Sequence, residues 1–317
     1  MLYLGSLEKN PVTEGKLYNF NTLAKLLILV VTMFEVMVVY VLFALNYLYK
    51  NYFRDFINTL AEIDKILIKL GHEFNYNSEF LINVVVNLAG PLFTFCNVAM
   101  EVDNVKREKL TPIPPVLIFC HIFPFMLVHH GESQFVTANI ILHSRFSVVN
   151  SFLGKLYERA AQESKYAGRQ KKVGVISDLL KNWKSDEKIL NSCIQCHDKL
   201  CDMCDVVNKI FGFIIIVGSV IQFNTIVFAF CYCYYSISIR PISTLGWFFW
   251  SLYRIYELTR KSVSAHICAK ELKIFALQLT HRKVSFTALG LFPLDATFAF
   301  TVIGAATTYI TIIYQFQ

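Results

Sequence analysis

Charged side chains are scarce in this chain. Asp, Glu, Lys and Arg make up only 17% of 317 residues, against 55% hydrophobic, and the mean hydropathy is +0.46. Two long stretches, Ile210 to Ile239 and Ala296 to the C-terminus, hold no charge at all. A composition this apolar excludes an ordinary soluble domain. No HExxH, Walker A, GxGxxG or GxSxG pattern occurs, so an enzyme reading has no support and no cofactor or metal is expected. Internal repeats, low-complexity tracts and Pro/Gly/Ser linkers are missing too, which argues against separable domains within 1–317. The first residues mix Glu8, Lys9, Pro11, Glu14 and Lys16 with short apolar stretches, unlike a cleavable signal peptide.

What is present reads as an all-α polytopic membrane bundle. A hydrocarbon core of roughly 30 Å needs about 20 apolar helical residues. Runs of that kind lie near 23–49, 80–103, 113–135, 209–237, 242–262 and 292–316, giving six spans. A seventh is conceivable at 135–155, but Arg145 and its polar neighbours make it a poor lipid-facing stretch. It reads better as a continuation of the third span beyond the membrane. The net charge of +7 is explained by orientation rather than by nucleic acid. Ten Lys and Arg between Lys155 and Lys199, and six more between Arg260 and Lys283, mark two basic segments separated by two spans. Both should be cytoplasmic, which puts the C-terminus outside. Six spans then place the N-terminus outside and 50–79 inside.

Segments 50–79 and 143–208 are not loop-like. Phe53, Phe56, Ile57, Leu60, Ile63, Leu67 and Leu70 recur at helical spacing. Long helical extensions are expected at 143–208 and 254–285, packed into a cytoplasmic anchor. Within the first of these, Cys193-Ile194-Gln195-Cys196-His197 matches a haem-attachment pattern, followed by the CxxC of Cys201 and Cys204. All four thiols share a helix face with Leu190, Leu200 and Val207, so core packing in a reducing cytoplasm is the preferred reading.

The chain closes on Thr308-Tyr309, five mostly apolar positions, then Gln315-Phe316. Upstream stand Arg145-Phe146 with Asn150, then His197-Asp198-Lys199-Leu200-Cys201 with Asn208 and Phe211-Gly212, then Phe286 through Asp295. In this order they resemble the insect gustatory receptor family over roughly 45–317, with the first family span lacking a counterpart. The resemblance implies a taste receptor in the plasma membrane: a ligand-gated, non-selective cation channel of four subunits, homomeric or mixed with other gustatory receptors. The last helix of each subunit, 292–316, would line the pore, and a sugar or bitter tastant would open it. A non-conducting accessory subunit or a membrane transporter is the alternative.

The residues fit these roles without compelling them. Thr308, Thr311 and Gln315 put hydroxyl and amide groups on one face of the last helix, suited to a watery pore or equally to polar contacts between helices. Phe316 supplies an apolar ring for a gate that closes by dewetting. Gly304, Ala305 and Ala306 permit close helix approach. A carboxylate at mid-span is costly, so Glu35 should face the bundle interior, as a ligand contact or a structural hydrogen bond. His121, Gln222 and Asn224 are polar within apolar runs. Trp247, Trp250 and Tyr253 either stack on a ligand or form an interfacial aromatic belt.

Overall fold

The structure, a computed structural model, describes residues 14–107, 115–167, 173–235, 241–275 and 285–315. Six helices carry the described chain: α1 Glu14–Lys69, α2 Tyr76–Arg107, α3 Pro115–Ala167, α4 Val173–Tyr235, α5 Pro241–Phe275 and α6 Ala296–Gln315. Three of them are long, with 56, 53 and 63 residues in α1, α3 and α4. At 1.5 Å of rise per residue they run roughly 80–95 Å, well over twice a hydrocarbon core. Each must therefore extend beyond any membrane it crosses. Residues 135–155 continue α3 without a break.

Among the described residues, two helices are long and apolar enough to cross a membrane, Tyr76–Met100 and Asp186–Val227. They differ in how they use that apolarity. On α2, Phe80, Leu81, Val85, Leu88, Leu92 and Phe95 all point outward, while Thr94 and Asn97 are buried. A helix in water does the opposite, so α2 is built to face lipid. On α4 the apolar residues turn inward, with Leu200, Val207 and Ile215 fully buried. Helix α3 sits centrally, packing against α1, α2, α4 and α5, while α6 leans on α4 and α5.

The core runs along α1, α3 and α4, from Leu42 and Val128 to Ile63, Leu142, Phe146 and Leu200. Within the repeat expected on α1, Phe56, Ile63 and Leu67 are buried but Ile57 is 59% exposed. Helical phase explains this: four residues advance the face by slightly more than a turn, and 57 falls on its edge. Cys193, Cys196, Cys201 and Cys204 are all buried, together with Leu200 and Val207, but Leu190 points outward at 38% exposure. Among the described residues no group of His, Cys, Asp or Glu is arranged to hold a metal. Burial pushes the Cys193 thiol up to about 12 and that of Cys196 to about 11, so both are unreactive neutral groups.

The upstream motif residues each tie α3 or α4 to a neighbour. Arg145 donates from Nε and Nη2 to the two carboxylate oxygens of Asp64 on α1, at 3.1 and 3.0 Å. Its Nη1 pairs with Glu79 on α2, and its guanidinium lies 4.5 Å over the Phe74 ring. Phe146 is buried against His197 of α4, and Asn150 donates to the Cys268 carbonyl of α5. One stretch of α3 thus grips four helices. Asn208 on α4 accepts from the Thr287 amide and donates to the Ser285 carbonyl, seating a small hairpin of β1 (Thr287–Ala288) and β2 (Phe292–Pro293). Its turn places Leu289 and Gly290 at φ of 51° and 76°. Gly212 is required beneath it, since a Cβ there would stand 2.8 Å from the Leu289 nitrogen. Asp295 then caps α6, accepting from the amides of Thr297 and Phe298.

Candidate functional site, a buried polar cluster behind an aromatic wall

Helices α3, α4 and α5 converge on a group of polar side chains that share almost no surface with solvent. At its centre is Glu132 of α3, whose side chain is 0% exposed. His129, one turn earlier, places Nδ1 at 3.1 Å from Glu132 Oε2. Gln222 of α4 donates to both carboxylate oxygens at 3.2 and 3.1 Å. Arg254 of α5 adds Nε and Nη2 at 3.3 and 3.2 Å, and its Nη1 donates to Glu257 at 2.8 Å. The remaining Arg254 contacts are the His129 carbonyl and Ser133 Oγ, each at 3.4 Å. Buried charge is tolerated only when paired and hydrogen-bonded in this way.

The His129 ring has its tautomer set by its neighbours. Trp250 Nε1–H donates to His129 Nε2 at 3.2 Å, so Nε2 has no proton and Nδ1–H must be the donor to Glu132. With both carboxyls ionised, Glu132 and Glu257 face one guanidinium and the cluster carries one excess negative charge. Gly218 on α4 makes the space, because a Cβ there would lie 2.0 Å from Glu132 Oε1. Two acceptors are left over: Gln222 Oε1 and Asn97 Oδ1 are buried and have no hydrogen-bond partner among the described residues. An acceptor in that condition is ready for a donor brought by a ligand.

Next to the cluster stands an aromatic wall from three helices. Phe93 of α2 stacks on Trp250 of α5, centroids 4.3 Å apart and planes within 8°. Trp247 meets Phe93 edge-on at 5.5 Å and Phe125 of α3 at 4.9 Å, and Phe125 meets the His129 ring at 4.2 Å. The wall and the cluster share Trp250 and His129. One small molecule could stack on rings and hydrogen-bond at one end.

The candidate residues from the sequence fall into separate places. Gln222, Trp247 and Trp250 come together here. Asn224 is exposed, two residues beyond Gln222 on another face of α4, and does not join them. Tyr253 touches Trp250 with its ring while remaining 47% exposed. The side chains of Glu35 and His121, and Phe316 altogether, lie outside the described residues. Thr308, Thr311 and Gln315 are exposed on α6, and both threonine hydroxyls donate to carbonyls one turn back, at 2.9 Å. Ala306 is buried while Gly304 and Ala305 are exposed.

The residues at the centre of the cluster, Glu132, His129 and Arg254, were not singled out from sequence. The signal was there: an acid inside the 113–135 run and a base inside the 242–262 run, each too costly to face lipid unpaired. Their pairing, across 122 positions, needed the fold.

Comparison with known proteins bears on the whole chain. The sequence profile of the 7tm chemosensory receptor family matches residues 10–270 and 252–317. Three Drosophila melanogaster proteins, named "Putative gustatory receptor" 28a, 28b and 2a, are similar to it. The first is 25% identical over 313 positions, covering 80% of this chain and 68% of that protein. The second is 47% identical over 62 residues, 20% of this chain and 13% of that protein, and the third 48% over 43 residues, 14% and 10%. The long match and its short, strongly similar segments are to receptors, not to enzymes. A profile matched from residue 10 to the C-terminus, on an all-helical bundle with a lipid-facing α2, means that this chain belongs to the 7tm chemosensory receptor family of the insect gustatory receptors.

Proposed function

We propose that this protein is one subunit of a tastant-gated, non-selective cation channel in the plasma membrane, in which four copies of α6 surround the pore. The observation that carries this is the state of α6. It is uncharged along its 20 residues, and it rests on α4 and α5 through Phe298 and Ala306 while Gly304, Ala305, Thr307, Thr308, Thr311 and Gln315 stay exposed. Small residues and hydroxyls left uncovered on an otherwise apolar helix suit packing against other copies around water. The threonine hydroxyls spend their protons on the helix backbone, so their oxygens face outward as acceptors for a cation.

The buried cluster and aromatic wall form the tastant site. The unpartnered acceptors on Gln222 and Asn97 fit a ligand with hydroxyl or N–H donors, and the rings fit an apolar body, a description that covers sugars and bitter compounds. Helix α5 couples the two regions: it carries Trp247, Trp250 and Arg254 and packs directly on α6. Residues 143–208 and 254–285 serve as the cytoplasmic anchor, held by Arg145, Asn150 and the buried cysteines. The C-terminus faces outward.

Recording from the full chain in a surface-verified cell line tests this. Phe316→Ala should raise ligand-independent leak and Gln315→Ala should alter relative cation permeability. Trp250→Ala should remove tastant responses while leaving leak unchanged. Identical currents in all three variants would overturn the assignment, and a tag after Gln317 that labels only permeabilised cells would overturn the orientation.

A further inference from the structure

Helix α3 has a second polar face, away from the tastant site. Where His129, Glu132 and Ser133 turn toward α4 and α5, His130 and Gln134 turn toward α1 and bond each other at 3.0 Å. They line a crevice of about 320 Å³ whose other walls are Leu42, Phe43 and Asn46 of α1 and Ile214 of α4. Its back is sealed because α3 and α4 approach at Gly131, where a Cβ would stand 2.8 Å from Ile214 Cγ2. Its floor is Phe53, packed edge-on against Phe211 at 5.7 Å.

At the floor two lysines gather. Lys50 lies on α1 one turn beyond Asn46, its Nζ 4.5 Å over the Tyr47 ring. Lys209 comes from α4, its Nζ 2.6 Å from the Tyr52 hydroxyl and 4.2 Å over that ring. Neither ammonium has a carboxylate partner among the described residues. Along α1 the chemistry is therefore ordered: a cation at 50, an amide at 46, then apolar side chains at 42 and 43, spaced by about 6 Å per helical turn.

We propose that this crevice holds one anionic glycerophospholipid, with its phosphate between Lys50 and Lys209, an ester carbonyl on Asn46 and the His130–Gln134 pair, and an acyl chain along Leu42 and Phe43. The order of groups on the protein is the order of groups along the lipid. Lysine stems lying on tyrosine rings keep the ammonium groups at the level where headgroups lie. The site does not depend on the channel reading. It sits against the same helix as the tastant cluster, with His129 and His130 adjacent in α3 but facing opposite ways.

Native mass spectrometry of the full chain, released from nanodiscs of equal dioleoylphosphatidylserine and dioleoylphosphatidylcholine, tests the proposal. One retained phosphatidylserine per chain is expected, preferred roughly thirtyfold for two lysine contacts at an anionic surface. Lys50→Gln with Lys209→Gln should abolish the preference, and Asn46→Leu with Gln134→Leu should reduce retention of both lipids. A Phe43→Trp variant, which keeps every polar contact, should be quenched at least about threefold more by brominated phosphatidylserine than by brominated phosphatidylcholine. Equal retention of the two lipids by the unaltered chain, or equal quenching, would overturn the site. Displacement of the retained lipid by inorganic phosphate or soluble glycerophosphoserine would show that the lysines bind a free phosphate, and would overturn the lipid assignment.

Discussion

Removing the guanidinium of Arg254 should be the most damaging single change in the membrane half of the protein. Arg254 is 2% exposed and Glu132 0%, so solvent neither screens nor replaces the interaction. Arg254→Gln leaves Glu132 and Glu257 as two carboxylates with no cation between them, which costs about 3–5 kcal/mol for a buried pair broken from one side. At about 1.4 kcal/mol per tenfold that is a loss of two to three and a half orders of magnitude in the folding equilibrium. Glu132→Gln alone should cost less, about 1.5–3 kcal/mol, because Arg254 keeps Glu257 and the amide can still meet Gln222 and His129. The double variant removes both charges together, so it should be less damaged than the sum by about 1–3 kcal/mol. Denaturant titration of the four purified proteins in one detergent gives the cycle directly. A strictly additive cycle, or Arg254→Gln within about 0.5 kcal/mol of the parent, would show that Glu132 and Arg254 are not a paired charge and would dismantle the cluster.

Three further outcomes follow from the packing. Gly218→Ala drives a methyl to 2.0 Å from Glu132 Oε1 and should cost about 1–3 kcal/mol, partly recovered by shortening the acid in Gly218→Ala/Glu132→Asp, both read as thermal midpoints. Asn208→Ala removes the two bonds that seat the hairpin, so amide exchange at 285–295 should quicken by about tenfold for a loss of about 1–2 kcal/mol, while exchange in the core of α3 stays unchanged. Because burial raises the Cys193 and Cys196 thiols to about 12 and about 11 from 9.0, their contribution to stability is whole below pH 9 and is lost as pH climbs toward 11–12. Maleimide should leave both unmodified in the folded protein at pH 7.5 and label them after denaturation; rapid native labelling would show that they are not buried.

The sequence determined the class of molecule and the direction of much of its packing. Uncharged runs of 20 or more residues require helices that satisfy their own backbone, and basic segments between them mark what lies outside the hydrocarbon. Arg145 was already recognisable as a residue that lipid would not accept, and the cysteine quartet as a buried face, because both conclusions rest on local cost and local period. Period alone misplaced Ile57 and Leu190, since a stripe has edges whose burial depends on which neighbour covers them. The site was the least legible part. Glu35 drew attention as an acid in mid-span, while Glu132, subject to the same argument, is the one the structure shows surrounded by His129, Gln222 and Arg254. Asn224 and Gln222 looked equivalent in sequence and point to different surroundings. Composition and period state that a buried charge needs a partner and that a face will be covered; only the crossing of α3, α4 and α5 brings residues more than a hundred positions apart within 3.3 Å and so decides which partner it is.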